Sequence, residues 1–300
     1  MSKLKLWIHA FRLRTLPLAL TSIGMGSALA SYNLSFSWSI LWGAVLTTLC
    51  LQILSNLAND YGDYTNGADD DNRIGPTRAM QSGLITAEEM KKAIVYFVIL
   101  SLVSGCSLLY IAFAEESISW LPVLFFLLGI ACIAAAIKYT AGKNPYGYKG
   151  LGDVFVFIFF GWVGVCGTYF LMTKELTWEI FLPATTIGLF STAVLNVNNI
   201  RDIQSDTMAG KKTWAMYLGA QHARLYHVII IVLGIACAFV FVWREDLEYT
   251  WLLIPGVLPS LWNAVSVYKM EDPTRLDPWL KQMVFSVLIF LVSFTLVVSL

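Results

Sequence analysis

The chain has 300 residues, of which 57% are hydrophobic and 13% charged, and its 20 Lys and Arg balance 20 Asp and Glu. A charged fraction about half the ~25% of soluble proteins cannot cover a water-exposed surface of this size. Zero net charge gives no basic excess for nucleic acid, and the apolar content excludes disorder. An all-α protein dissolved in the lipid bilayer remains.

A bilayer core takes about 20 apolar residues per helix. Nine runs approach that length, at residues 16–32, 40–57, 93–114, 120–139, 154–172, 180–200, 226–243, 251–268 and 283–300. They predict a polytopic bundle of nine transmembrane helices. Lys3, Lys5, Arg12 and Arg14 before the first run, and Ala28-Leu29-Ala30 near its end, imitate a cleavable leader. The charged stretch is long for a leader and the later runs insert without one, so the first run is read as a retained helix.

With the N-terminus cytoplasmic, 18 of the 20 basic residues fall on the inner side and only Lys174 and Arg244 on the outer side. The positive-inside rule therefore selects this orientation, with the C-terminus outside. Trp38, Trp120, Trp178, Trp243 and Trp251 then gather at the outer face as an aromatic belt. Outer connections are short, whereas inner ones at 58–92, 140–153 and 201–224 are long, and long loops on one face place the working end there. Cys50, Cys106, Cys132, Cys166 and Cys237 show no paired or metal spacing and read as packing residues. His9, His222 and His227 share no ligand spacing and read as interfacial or structural.

The second run leaves the membrane through Asn56, Asp60 and Asp63, which stand at i, i+4 and i+7 on one helical face, and Asp69-Asp70-Asp71 follow. The sixth run leaves through Asn198, Asn199, Arg201, Asp202 and Asp206, with Asn198, Asp202 and Asp206 at i, i+4 and i+8. Asn56–Asp60 and Asn198–Asp202 repeat one N-x-x-x-D unit 142 residues apart. Close carboxylates repel one another, and a membrane edge adds a desolvation cost. A hard divalent cation relieves both. Mg²⁺ takes oxygen ligands and characteristically combines one or two carboxylates with substrate phosphate oxygens, so two facing acidic helix ends form a site for a Mg²⁺-bound diphosphate. Arg73, Arg78, Arg201, Lys211 and Lys212 lie close by in sequence, placed to offset phosphate charge. A third loop, Tyr146 to Asp153, is rich in aromatic residues and glycine and suits a flat ring; Asp153 serves equally as a cap of the fifth helix.

These residues resemble the UbiA superfamily of intramembrane prenyltransferases, and within it the naphthoate-prenylating branch. The segments that carry the likeness are NLANDYGDY at 56–64, RIGPTRAMQSGLIT at 73–86, YTAGKNPYGYKGLGD at 139–153 and NVNNIRDIQSDTMAGKKT at 196–213. One departure stands out: the superfamily often carries a further Asp four residues after the second, where this chain has Gly67, and Asp69 is the substitute. The resemblance implies one domain over residues 1–300 in the bacterial cytoplasmic (inner) membrane, its active site facing the cytoplasm. It implies Mg²⁺ held by Asp60, Asp63, Asp202 and Asp206. The diphosphate of a polyprenyl diphosphate is then oriented by Asn56, Asn198 and Asn199, and its charge is taken up by Arg73, Arg78, Arg201 and Lys211. Tyr139 and Tyr146 are placed to stabilise a prenyl cation by ring-face attraction, with Asp153 and Asp69 also at the substrate. The implied acceptor is dihydroxynaphthoate, attacked at its carboxylate-bearing carbon with loss of CO₂. Other acceptors, 4-hydroxybenzoate or homogentisate, share the same metal site. A secondary transporter is the remote alternative, disfavoured because transporters keep their polar sites near the midplane.

Overall fold

The computed structural model describes residues 3–67, 79–80, 83–114 and 120–300. The described residues form helices: α1 (Lys3–Ala10), α2 (Leu16–Tyr32), α3 (Trp38–Thr65), α4 (Ala87–Phe113) and α5 (Leu121–Lys138). After these come α6 (Gly152–Val156), a π-helical segment (Phe157–Cys166) and α7 (Gly167–Thr173), continuous as one rod. The remainder are α8 (Phe181–Arg201), α9 (Ile203–Met208), α10 (Trp214–Arg244), α11 (Ile254–Lys269) and α12 (Asp277–Ser299). Among the described residues eight helical stretches are long and apolar enough to cross a membrane, including the rod Gly152–Thr173. The chain is an integral membrane protein. The first expected run is α2, with 17 residues.

Sequence chemistry sets the helix starts. Ser37 caps α3, and Thr86 with Glu89 forms a reciprocal capping box on α4. Thr213 caps α10 well before the apolar run at 226, and Gly219, with φ of +73°, kinks the helix after its first five residues, ahead of the polar Gln221, His222 and Arg224.

Helix α8 lies at the centre, packed on α10, the π segment, α12 and α2. Small residues let backbones approach closely: a Cβ on Gly161 would meet the Gly188 Cα at 3.0 Å and the Ala184 carbonyl oxygen at 2.7 Å. Helix α5 is the opposite case, packing on α3 and α4 while most of its surface faces outward. Trp38, Trp120, Trp178, Trp243 and Trp251 are all exposed at the end of the bundle opposite the acidic residues. His227 is fully buried; its Nε2 lies 2.9 Å from the Asn263 Oδ1 in a polar contact between α10 and α11.

Candidate active site

Helix α3 runs about two turns beyond the expected apolar run, and this extension carries the first acidic cluster as one face. Asn56, Asp60 and Asp63 are all nearly inaccessible. The Asn56 Nδ2 donates to the Phe11 carbonyl at 2.9 Å and to the Thr15 Oγ1 at 3.1 Å, so this side chain holds the segment between α1 and α2. From that same segment Arg12, in the left-handed backbone region at φ of +49°, ion-pairs with Asp60. The Tyr148 hydroxyl donates to the Asp63 Oδ1 at 2.8 Å. Thr140 donates to the Ala58 carbonyl at 3.1 Å and lies 3.0 Å from the Asn59 Oδ1.

The second cluster spans the junction of α8 and α9. Asp202 leaves helical geometry, but its amide still donates to the Asn198 carbonyl, and the Asp206 amide to the Asp202 carbonyl. Asn198, Asp202 and Asp206 therefore keep the helical order expected of them. Arg201 is 3% exposed. Its guanidinium grips both Asp202 oxygens at 2.8 Å, donates to the Asn198 Oδ1 at 2.7 Å and reaches the Asp277 Oδ1 at 2.9 Å on α12. Asn199 is buried at the end of α8. The Lys211 ammonium lies 3.5 Å from the Asp206 Oδ1 and 5.8 Å from the centroid of the Tyr148 ring.

The two clusters face each other across the loops. Lys212 donates its amide to the Tyr148 carbonyl at 3.2 Å, tying the 140–153 loop to the 206–213 loop. The Tyr139 hydroxyl is buried within reach of charges from both clusters, Asp63 on one side and Asp206 and Lys211 on the other. Burial, with help from Asp202 and Asp63, raises the Asp206 carboxyl above the ordinary aspartate range, and Lys211 works in the opposite direction. The Asp206 Oδ2 is buried with no hydrogen-bond partner among the described residues. Asp153, also buried, lies within electrostatic reach of the Tyr226 hydroxyl, and its Oδ2 is likewise unpartnered among the described residues.

Below Asn56, Asn59 and Tyr139 opens a cavity of about 390 Å³, walled by α2–α5 and the Gly152–Thr173 rod. Its lining is mainly apolar, with Leu51, Leu102, Phe155 and Phe159 among the walls. On its flank, α5 and the loop that follows it meet the rod through one aromatic contact each. Phe125 stacks on Phe170 at 5.3 Å, and Tyr146 stacks on Phe155 at 4.0 Å while donating to the Ala135 carbonyl.

The structure thus brings together Asp60, Asp63, Asn56, Asn198, Asn199, Arg201, Asp202, Asp206, Lys211, Tyr139, Tyr146 and Asp153 at one end of the bundle. Asp69, Arg73 and Arg78 lie outside the described residues. Asn56 is occupied in holding the α1–α2 segment, and Arg201 in holding Asp202. The motif reading missed four participants: Arg12, Tyr148, Tyr226 and Asp277. Arg12 counted only as an inner-face cation, and Tyr148 only as loop aromaticity. Asp277 lies 75 residues after Asp202, and spacing cannot signal such a contact.

The described residues define a helical membrane protein whose acidic helix ends lie above an apolar chamber. The chain belongs to the UbiA prenyltransferase family, whose profile matches residues 18–294. It is 44% identical over 297 residues to a 1,4-dihydroxy-2-naphthoate octaprenyltransferase of Haemophilus influenzae, covering 98% of this chain and 96% of that one. It is 41% identical over 296 residues to the Escherichia coli protein of the same name, covering 98% and 95%. A UbiA homologue from Archaeoglobus fulgidus bound to DMAPP and Mg²⁺ matches with a TM-score of 0.68 at 14% identity, covering 98% of this chain and 99% of that one. The apo UbiA homologue from Aeropyrum pernix K1 gives 0.71 at 15% identity, covering 93% and 96%. At such identities these likenesses establish the fold.

Proposed function

We propose that the chain transfers a polyprenyl group from polyprenyl diphosphate to 1,4-dihydroxy-2-naphthoate, releasing diphosphate and CO₂ on the path to menaquinone. The observation that carries this reading is the approach of Asp63, on the helical face it shares with Asp60, to Asp206 of the second cluster, above an apolar cavity that Asn56, Asn59 and Tyr139 line. The naphthoate acceptor is supported by the names of the relatives above 40% identity.

The donor set fits Mg²⁺. Asp60, Asp63, Asp202 and Asp206 offer only hard oxygen ligands, and the buried, unpartnered Asp206 Oδ2 is an atom that a cation satisfies. Among the described residues no three carboxylates form a cage by themselves; Mg²⁺ does not require one, since waters and phosphate oxygens complete its shell. When bound, the ion neutralises charge on the diphosphate as the allylic carbon–oxygen bond breaks. Lys211, on the Asp206 side, adds positive charge for the departing diphosphate. Tyr139 and Tyr146 present ring faces to the allylic carbon, and their crowding against Gly147, Gly152 and Phe155 holds them in place. The ring carbon bearing the acceptor's carboxylate forms the new carbon–carbon bond, after which the carbon–carboxylate bond breaks and CO₂ departs.

The tail lies in the cavity and leaves by the flank between α5 and the rod, so prenyl length is set by the bilayer as much as by the protein. Residues 1–300 act as one domain. Helix α2, about 25 Å long by its 17 residues, serves as the ninth span, and the charge asymmetry of the loops supports a cytoplasmic N-terminus and acidic mouth in a bacterial inner membrane. Purified protein given 1,4-dihydroxy-2-naphthoate, 4-hydroxybenzoate and homogentisate in parallel tests the acceptor. Transfer to 4-hydroxybenzoate but not to the naphthoate overturns the reading. Diphosphate release that survives in Asp60→Ala and Asp202→Ala overturns the metal site.

A further inference from the structure

We propose that Asp277 is a positioning residue for the metal site, acting on Asp202 through Arg201. This inference rests on the reading of Asp202 as a ligand of the Mg²⁺-diphosphate site. Arg201 is buried and four of its five guanidinium N–H donors are committed, Nε and Nη2 to the two Asp202 oxygens, Nη2 also to the Asn198 amide oxygen and Nη1 to the Asp277 carboxylate. A guanidinium so committed does not swing onto a leaving group. It fixes the rotamer of Asp202 and presents the remaining lone pairs of that carboxylate to the site.

A full cation clamped on a metal ligand also competes with the metal. Asp277 answers this, since a second carboxylate on Nη1 shares the charge of Arg201 and leaves Asp202 with more of its own. Asp277 stands at the start of α12, far in sequence from both acidic motifs, and cations from three elements converge on it. Arg201 approaches from α8 at 2.9 Å and Lys281 from α12 itself at 3.2 Å, while Arg14, before α2, feels its field. A carboxylate retained among three cations, next to a metal ligand, sets how much positive charge reaches that ligand. Removing it strengthens the hold of Arg201 on Asp202 and lowers the negative potential of the site, and both changes weaken cation binding.

The test uses the full-length protein in detergent, with Mn²⁺ binding followed by electron paramagnetic resonance and prenyl transfer measured across a Mg²⁺ titration. Asp277→Asn is expected to raise the half-saturating concentration of either ion about tenfold, the scale of one charge-assisted hydrogen bond, with kcat at saturating Mg²⁺ within about twofold of the parent. Asp277→Glu restores most of the affinity. Lys281→Gln, which contacts Asp277 but not Arg201, is expected to tighten Mn²⁺ binding by up to about twofold, as an exposed pair should, and it serves if Asp277→Asn does not fold. Unchanged metal affinity in Asp277→Asn, a uniform loss of kcat at all Mg²⁺ concentrations, or weaker binding in Lys281→Gln overturns the proposal. Asp202→Ala separates the two levels: if it leaves Mn²⁺ binding intact, the metal reading falls and this inference with it. If it abolishes binding while Asp277→Asn leaves it unaltered, only the positioning role falls.

Discussion

Gly62 lies directly against the backbone of Thr140: a Cβ at position 62 would stand 2.5 Å from the Thr140 carbonyl carbon and 2.6 Å from both its oxygens. Gly62 sits between Asp60 and Asp63, and Thr140 adjoins Tyr139, so this contact sets the distance between the first acidic cluster and the loop that carries the ring faces. Neither partner yields, since one is helix and the other backbone. Gly62→Ala is expected to lower prenyl transfer at least tenfold, on the scale of a 1 Å misplacement at a reacting centre. Circular dichroism should show unchanged helix content. Parental activity in the variant would refute the spacing role.

Tyr148 links the clusters, its hydroxyl on Asp63 and its ring beside Lys211. Tyr148→Phe keeps the ring and removes the hydroxyl. A hydrogen bond to a charged carboxylate is worth about 1.5–3 kcal/mol. The lower end of that range corresponds to about tenfold in kcat/KM. A Mg²⁺ titration measures it, with Tyr148→Leu falling further because the ring is lost as well.

The raised Asp206 carboxyl has a stability consequence. A carboxyl whose folded pKa exceeds its unfolded one binds its proton more tightly in the fold, so its ionised form opposes folding. The metal-free protein therefore gains stability as pH falls into the range between the two values. Asp206→Asn is expected to raise the thermal midpoint in EDTA at neutral pH while abolishing transfer. A lowered midpoint would show that the ion pair with Lys211 outweighs burial.

Two cavity glycines test the tail path. Gly129 on α5 and Gly167 at the start of α7 line the chamber, and a Cβ added at either meets nothing within 4 Å. Leu at either position fills the chamber without straining the helices. Transfer of a long prenyl chain is expected to fall about tenfold or more, in line with the 1–3 kcal/mol carried by a methylene-scale misfit, while geranyl diphosphate is spared. Equal loss for both chain lengths would place the tail elsewhere.

Asn263 bridges three elements of the opposite half. It faces the His227 Nε2 at 2.9 Å and donates to the Trp279 carbonyl at 2.9 Å and to the Gln282 side chain. Because the amide oxygen of Asn263 is an acceptor, Nε2 carries the ring proton of His227. Interhelical hydrogen bonds in membranes contribute about 0.6–2 kcal/mol each, so Asn263→Leu should cost about 1–2 kcal/mol in detergent-unfolding experiments, with kcat unaffected.

Much of this was readable before any coordinates. Asn56, Asp60 and Asp63 share a face because helical periodicity carries through the membrane edge, and Asn198, Asp202 and Asp206 keep their order because amide hydrogen bonds continue across the break at Asp202. Apolar run length located the eight spans found among the described residues, yet α10 begins at Trp214 rather than near 226, because Gln221, His222 and Arg224 interrupt the apolar pattern without interrupting the helix. The pairings of Arg12 with Asp60 and of Arg201 with Asp277 were hidden, since each joins residues distant in the chain through packing that no local pattern encodes. The π segment was hidden too, because Phe157–Cys166 has the composition of any apolar helix.

That wider turn has a geometric consequence. Each residue added to or removed from a helix rotates everything beyond it by about 100°. Between Gly152 and Thr173 the π segment is therefore a rotary joint: on one side hang Asp153 and Phe155 near the polar mouth, on the other Gly167, Thr168 and Leu171 deep in the chamber. A one-residue deletion within 157–166 would turn the deep wall against the mouth while leaving both lengths of helix intact. The polar-mouth half and the chamber half of this rod are thus separately adjustable, since a change of register at the joint re-aims one wall without rebuilding the other.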